Sequence, residues 1–251
     1  MKKKINIIVF DMDGTLVESR LDNVSEEVKD YLRKLKDLGY KLIILSSGNV
    51  NRLYSQIRDV DLTLLGNFGS ERAEIKNGQL VLHKKPKKNL TLPDEEIAKR
   101  IEKFRQLTGF TEYKGDSFVK KLDHIIISLI GSDAPRAERV KFDPNCKIRK
   151  KHIKTLQNLF PDYVIDFGGL TSYNILPKDC NKYINLTHYL VDNHLDRNRL
   201  IFFGDQTVSK YGNDYVLKAN GINCVQVNNY NNICKLVDKY VLNVDKKRNN
   251  R

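Results

Sequence analysis

The run Ile5-Asn6-Ile7-Ile8-Val9-Phe10 is apolar almost throughout and stops abruptly at Asp11-Met12-Asp13-Gly14. Apolar sequence without the alternation of a half-exposed strand is what a parallel strand covered on both faces requires. A chain that begins this way must supply helices for both faces, and the following segments do. Ser25 is placed to cap a helix with Glu26 and Glu27 in its first turn, Val28, Leu32, Leu35 and Leu38 along one stripe, and Gly39 free to end it in a left-handed conformation. Residues 41–45 (KLIIL) read as a second buried strand, 50–59 as a short helix and 62–65 as a third strand, and Asn77-Gly78 marks a tight hairpin.

The middle of the chain has a different texture. Helices are expected over 94–107 and 144–159, and strands at 117–119, 125–130, 163–167 and 171–176, so that strands come in neighbouring pairs. That pattern suits an α+β module with an antiparallel sheet. The alternating rhythm then returns, with a helix over 181–192, a strand over 200–203, a helix near Asp214, a strand over 222–227 and a last helix from Asn231. The expected fold class is α/β: a doubly wound parallel-sheet, Rossmann-like core from residues 1–83 and 178–251, with an α+β cap domain inserted over 84–177. A chain of 251 residues, 40% of them hydrophobic, is long enough for both.

The chemistry concentrates at the strand ends. Asp11 and Asp13 stand two residues apart where open α/β sheets present their ligand sites. One carboxylate can attack a phosphoryl group and the other can protonate the leaving oxygen, provided a cation offsets the repulsion between the anions. Taken alone, the same residues also make an ordinary turn. The recurrence decides between these readings: Leu200-Ile201-Phe202-Phe203-Gly204-Asp205 again ends an apolar strand in an acid, and Gly212-Asn213-Asp214 follows on the next loop. Asp205, Asp11 and a main-chain carbonyl near Asp13 would form the hard, oxygen-rich site that Mg²⁺ prefers. Between them, Ser46-Ser47-Gly48-Asn49 ends the second strand with hydroxyls and amides at a helix start, a phosphate cradle in outline.

The chain carries 44 Lys plus Arg against 31 Asp plus Glu, a net charge of +13. Its basic runs at 84–88, 147–154 and 246–251 lack the interleaved aromatics of a base-stacking surface, so no specific nucleic-acid partner is expected. The four cysteines form no C-x-x-C pair, and no run of about 18 apolar residues occurs. A reduced, cytoplasmic protein without a membrane span is expected.

In order and spacing, Asp11-Met12-Asp13-Gly14-Thr15, the Ser46-Ser47-Gly48 strand end, Lys182 after Pro177, and Gly204-Asp205 with Gly212-Asn213-Asp214 resemble the motifs of the haloacid dehalogenase superfamily. The inserted module resembles the type IIB cap, and the stretch FFGDQTVSKYGND is similar to the eukaryotic-type phosphomannomutases. The resemblance covers nearly the whole chain. It implies that Asp11 is the nucleophile, Asp13 the general acid and base, Ser47 with Gly48 the phosphoryl cradle, and Lys182 the cation beside it. It also implies Mg²⁺ held by Asp11, Asp13 and Asp205, with Asp214 nearby.

Arg20 matches a substrate-contacting arginine of these mutases, and in the cap Arg139 and Lys121 fall where distal-phosphate cations belong. A third cap arginine is replaced by Ser132, with Arg136 four residues on as a substitute, and a sugar-contacting strand keeps Ser172 but has Asn174 in place of an acid. The implied activity is a Mg²⁺-dependent phosphohexomutase that interconverts hexose 6-phosphate and 1-phosphate, with hexose 1,6-bisphosphate as activator. The substrate would be a small phosphosugar, and the caps would pair in a homodimer. The alternative is a sugar-phosphate phosphatase, which the Ser132 and Asn174 departures favour.

Overall fold

The computed structural model describes residues 3–84 and 90–244. Apart from Lys84, the basic runs at 84–88 and 246–251 lie outside the described residues. From its start the chain forms β1 (Ile7–Phe10), α1 (Glu26–Asp37), β2 (Lys41–Leu45), α2 (Val50–Ile57), β3 (Thr63–Gly66) and the hairpin β4 (Glu71–Lys76) and β5 (Gln79–Lys84). The middle comprises α3 (Asp94–Thr108), β6 (Val119–Lys120), β7 (Ile125–Ser128), α4 (Arg136–Phe142), α5 (Lys147–Leu159), β8 (Tyr163–Gly168) and β9 (Ser172–Pro177). It closes with α6 (Lys182–Asp192), β10 (Leu200–Gly204), α7 (Tyr215–Ala219), β11 (Cys224–Gln226) and α8 (Ile233–Val237).

Two compact units result. The first comprises Met1–Lys85, Lys182–Lys210 and Asp214–Arg251, and the second Pro86–Asn181 with Tyr211–Asn213. The first unit holds a seven-stranded sheet in the order β11-β10-β1-β2-β3-β4-β5. Its first five strands are parallel and the β4–β5 hairpin is antiparallel. Asn77 and Gly78, at φ 50° and 72°, make the hairpin turn that the Asn-Gly pair predicts.

Strand β1 is buried on both faces, as its unbroken apolar run requires. Ile8 and Phe10 pack with Leu32 and Leu35 of α1 and Leu53 and Ile57 of α2. Ile7 and Val9 pack with Leu186 and Leu190 of α6.

The second unit holds an antiparallel sheet in the order β6-β7-β9-β8. Helices α3 and α5 bury Ile97, Ile101, Phe104, Ile153 and Leu156 against Ile125, Ile127, Ile165, Tyr173 and Ile175. By strand alternation Ile126, Ser128, Asp166, Ser172 and Asn174 occupy the opposite face.

Helix α5 begins at Lys147 and not at 144, because the Asp143 carboxylate accepts from the amides of Ile148 and Arg149 while Cys146 takes φ 56°. The basic run 147–154 is therefore not a uniformly solvated face. Arg149 is buried, pairs with Asp143 at 2.8 Å and donates to the carbonyl of Gly169, tying the β8–β9 turn to the helix. Helix α4 is absent from the sequence expectation because it buries none of its residues, so no apolar stripe announces it.

Candidate active site

The sheet order fixes where a site belongs. From β1 the chain winds outward through β2 to β3, and its later part continues on the other side through β10 to β11, so the strand order reverses between β1 and β10. Ligands bind in the crevice beyond the carboxyl ends of strands at such a point. Phe10 and Phe203 lie in register there, the Asp11 amide donates to the Phe203 carbonyl at 2.9 Å, and Asp11 and Asp205 follow within one and two residues.

The loop after β1 is pinned by Met12. Its side chain is fully buried, and its carbonyl accepts from the amides of Leu16 and Val17. Gly14, at φ 79°, has no Cβ, and one placed there would stand 2.7 Å from the Asp205 carboxyl carbon, so only glycine lets the two loops approach this closely.

Lys182, the first residue of α6, is 1% exposed. Its Nζ donates to Asp11 Oδ1 at 2.8 Å and to Asp214 Oδ1 at 2.6 Å, which excludes the solvated surface lysine that its abundance in the chain would suggest. Burial by itself would lower the Lys182 pKa, but Asp11 and Asp214 together outweigh it and hold the ammonium charged. Burial, with the charges of Asp214 and Asp13, pushes the Asp11 carboxyl up to about 7 against the opposing pull of Lys182. Asp205 is raised as well, first by burial and then by Asp11 and Asp214.

Asp11, Asp205 and Asp214 each offer a carboxylate oxygen within 4.8 Å of the others. When all three are ionised, the carboxylates against one paired ammonium leave two negative charges in a desolvated crevice. That is the charge and the hard oxygen donor set that suit a divalent ion such as Mg²⁺. Asp214, a candidate metal residue from its motif, offers one of these oxygens. The Asp13 carboxylate is not part of this group, which leaves its main-chain carbonyl as the expected contributor: the side chain turns to Arg52, whose two terminal nitrogens each donate to one of its oxygens at 2.8 Å.

The cradle is also more occupied than its sequence suggests. Ser46 is buried, and its hydroxyl accepts from the Gly48 amide at 3.2 Å and from Arg52 at 3.3 Å, while Ser47 and Gly48 are half-buried. At the start of α2, Glu71 accepts from the Val50 amide at 2.8 Å and Asn49 caps the amide of Arg52. A negative side chain already holds part of the helix start that forms the phosphate cradle in outline.

Arg20 is exposed on the turn after this loop, its carbonyl accepting from Gln56. In the second unit Lys121 and Arg136 are exposed, and Arg139 donates to the carbonyls of Ala134 and Ser132. Ser132, where an arginine was expected, accepts from the Asp116 amide and donates to Asp133. Ser172 is half-buried opposite Ser128, and buried Asn174 donates to Asp166 at 2.7 Å. An acid at position 174 would put two carboxylates together there, so the amide suits this neighbour.

The haloacid dehalogenase-like hydrolase profile matches residues 8–241, through both units. The chain belongs to that family. Haloacid dehalogenase-like enzymes use Mg²⁺, and the Asp11, Asp205 and Asp214 trio could hold one. As a member the chain is an enzyme. It is 30% identical over 231 residues to the phosphomannomutase of Saccharomyces cerevisiae, covering 85% of each chain. It is 27% identical over 248 residues to the phosphomannomutase of Encephalitozoon cuniculi, covering 93% of this chain and 92% of that protein.

Among solved structures, an IMP-bound Plasmodium falciparum IMP-nucleotidase matches with a TM-score of 0.69 at 14% identity, over 96% of this chain and 68% of that one. The sucrose-phosphatase of Synechocystis matches with a TM-score of 0.54 at 16% identity, over 95% and 89%. At such identities these structures show the shared fold. Among the described residues no helix is long and apolar enough to cross a membrane.

Proposed function

We propose that the chain is a Mg²⁺-dependent phosphohexomutase of phosphomannomutase type, interconverting hexose (mannose) 6-phosphate and hexose 1-phosphate. The observation that carries this beyond phosphoryl transfer in general is the likeness to yeast phosphomannomutase over 85% of both chains, at 30% identity. In this reading an oxygen of Asp11 attacks phosphorus, the bond from phosphorus to the sugar oxygen breaks, and Asp13 gives that oxygen a proton. In the second half-reaction Asp13 takes a proton from the incoming hydroxyl, which attacks the aspartyl phosphate and restores Asp11. Mg²⁺, when bound by the acidic trio, neutralises the anions that would otherwise repel the phosphoryl group. Lys182 keeps Asp11 oriented and partly neutralised, and Ser47 and Gly48 hold the phosphoryl oxygens.

A mutase must also grip the phosphate that is not being transferred while the bisphosphate turns round. Lys121, Arg136 and Arg139 are the cap cations for it, and Arg20, Ser172 and Asn174 contact the sugar. Hexose 1,6-bisphosphate would serve as activator, and pairing of the caps in a homodimer and a cytoplasmic location complete the reading.

A sugar-phosphate phosphatase is the second reading, favoured by Ser132 and Asn174. Arg139→Ala separates the two. Losing a charge-assisted contact to the distal phosphate should cost about 2–4 kcal/mol, roughly 30- to 1000-fold in isomerisation, and leave hydrolysis of a small activated phosphate nearly unchanged. An equal fall in both activities would make Arg139 a support of the fold, and no change in either would favour the phosphatase.

A further inference from the structure

We infer that Arg52 is a phosphoryl-binding residue, paired with Asp13 and transferred from it to phosphate oxygens when substrate enters. The inference rests on the phosphotransfer reading above but concerns a residue that reading does not use. Three observations lead to it.

The guanidinium grips both oxygens of Asp13 at 2.8 Å, a planar fork that fits a phosphate as well as a carboxylate. It also lies directly on Gly48: a Cβ there would stand 2.1 Å from one of its terminal nitrogens, so the charge sits against the strand-end loop where the phosphoryl group is to be cradled. Finally, two other positive features of the crevice are already committed. Lys182 is shared between Asp11 and Asp214, and the Val50 amide is taken by Glu71. A phosphoryl dianion entering a crevice of carboxylates needs a cation that can be released, and Arg52 answers that need. Its side chain is 22% exposed and that of Asp13 35%, so the pair is open to an incoming anion, unlike the buried Lys182 pair. The exchange would also free the Asp13 oxygens, both engaged by the arginine, to meet the sugar oxygen.

The inference predicts a coupling that simple charge attraction does not. Removing the Asp13 charge should tighten phosphate binding chiefly because Arg52 no longer has to be drawn away from it, so the gain should require Arg52. Inorganic phosphate binding, measured by titration calorimetry in Mg²⁺ buffer, would be compared for the unaltered chain, Arg52→Ala, Arg52→Lys, Asp13→Asn and the Arg52→Ala, Asp13→Asn pair. Arg52→Ala is expected to weaken binding about 10- to 100-fold and Arg52→Lys to recover part of it. Asp13→Asn is expected to tighten binding in the unaltered chain and much less in the Arg52→Ala background.

Unchanged phosphate affinity in Arg52→Ala would overturn the inference. So would an equal gain from Asp13→Asn in both backgrounds, or an unaltered chain that binds no phosphate. None of these results touches the role of Asp11, which stands or falls on whether Asp11→Asn abolishes turnover.

Discussion

Asp11→Asn is expected to lower turnover at least about a thousandfold, because an amide cannot serve as the phosphoryl acceptor and no other described carboxylate shares the position of Asp11. Asp11 alone among the acids of the crevice follows β1 directly while bonding Lys182. The fold should survive the change, since asparagine fills the same volume, Lys182 keeps its bond to Asp214, and the main-chain amide of residue 11 keeps its bond to the Phe203 carbonyl. Turnover would be followed as phosphate release from a small activated phosphate and as isomerisation. Retention of more than about a tenth of either activity would remove Asp11 from the chemistry.

Lys182→Met is expected to damage both activity and stability. Methionine keeps the length of the side chain but leaves Asp11 and Asp214 buried without their shared cation, and removing one partner of a buried pair typically costs about 3–5 kcal/mol. The loss should depend on pH, with a definite sign. A carboxyl held up to about 7 in the folded chain, against 3.8 as its ordinary value, binds more protons folded than unfolded between those values. Stability without metal therefore falls as pH rises through that window, and more steeply once the ammonium is gone. Urea unfolding in chelator at about pH 5 and pH 8 would read this, and added Mg²⁺ should restore part of the loss. A Lys182→Met chain as stable as the unaltered one at both pH values would mean that the pair is not a determinant of the site.

The sequence shows the parallel core because that core depends on features written locally. Buried strands need unbroken apolar runs, the Ser25 cap and Gly39 stop bound α1, and the Asn77-Gly78 turn closes the hairpin. The two acids at the ends of β1 and β10 are legible for the same reason, since each ends its own strand. The pairing of charges is not. Lys182 meets Asp11 across 171 positions and Arg52 meets Asp13 across 39, and neither separation has any local signature. Arg52 is one arginine among many in a basic chain. Only its place in the first turn of α2, set by the Asn49 cap, turns it towards the end of β1. The bond of Asp214 to Lys182, 32 positions earlier, is hidden for the same reason, although its motif marks Asp214 as a candidate metal residue.

The cap is less legible because its units of structure are small. Helix α4 buries nothing, and β6 spans two residues. Arg149 sits in a run that reads as solvated lysine until Asp143 folds over it. The cap residues assigned to substrate therefore rest on the resemblance to phosphomannomutases, whereas the core assignments have geometry beside them.

The most direct measurement supplies mannose 1-phosphate with Mg²⁺ and a trace of hexose 1,6-bisphosphate and follows both free phosphate and the 6-phosphate isomer. Mannose 6-phosphate is expected to accumulate well ahead of free phosphate, only with the bisphosphate present, and not in Asp11→Asn. Stoichiometric release of phosphate with no 6-phosphate isomer, with or without the bisphosphate, would contradict the mutase reading.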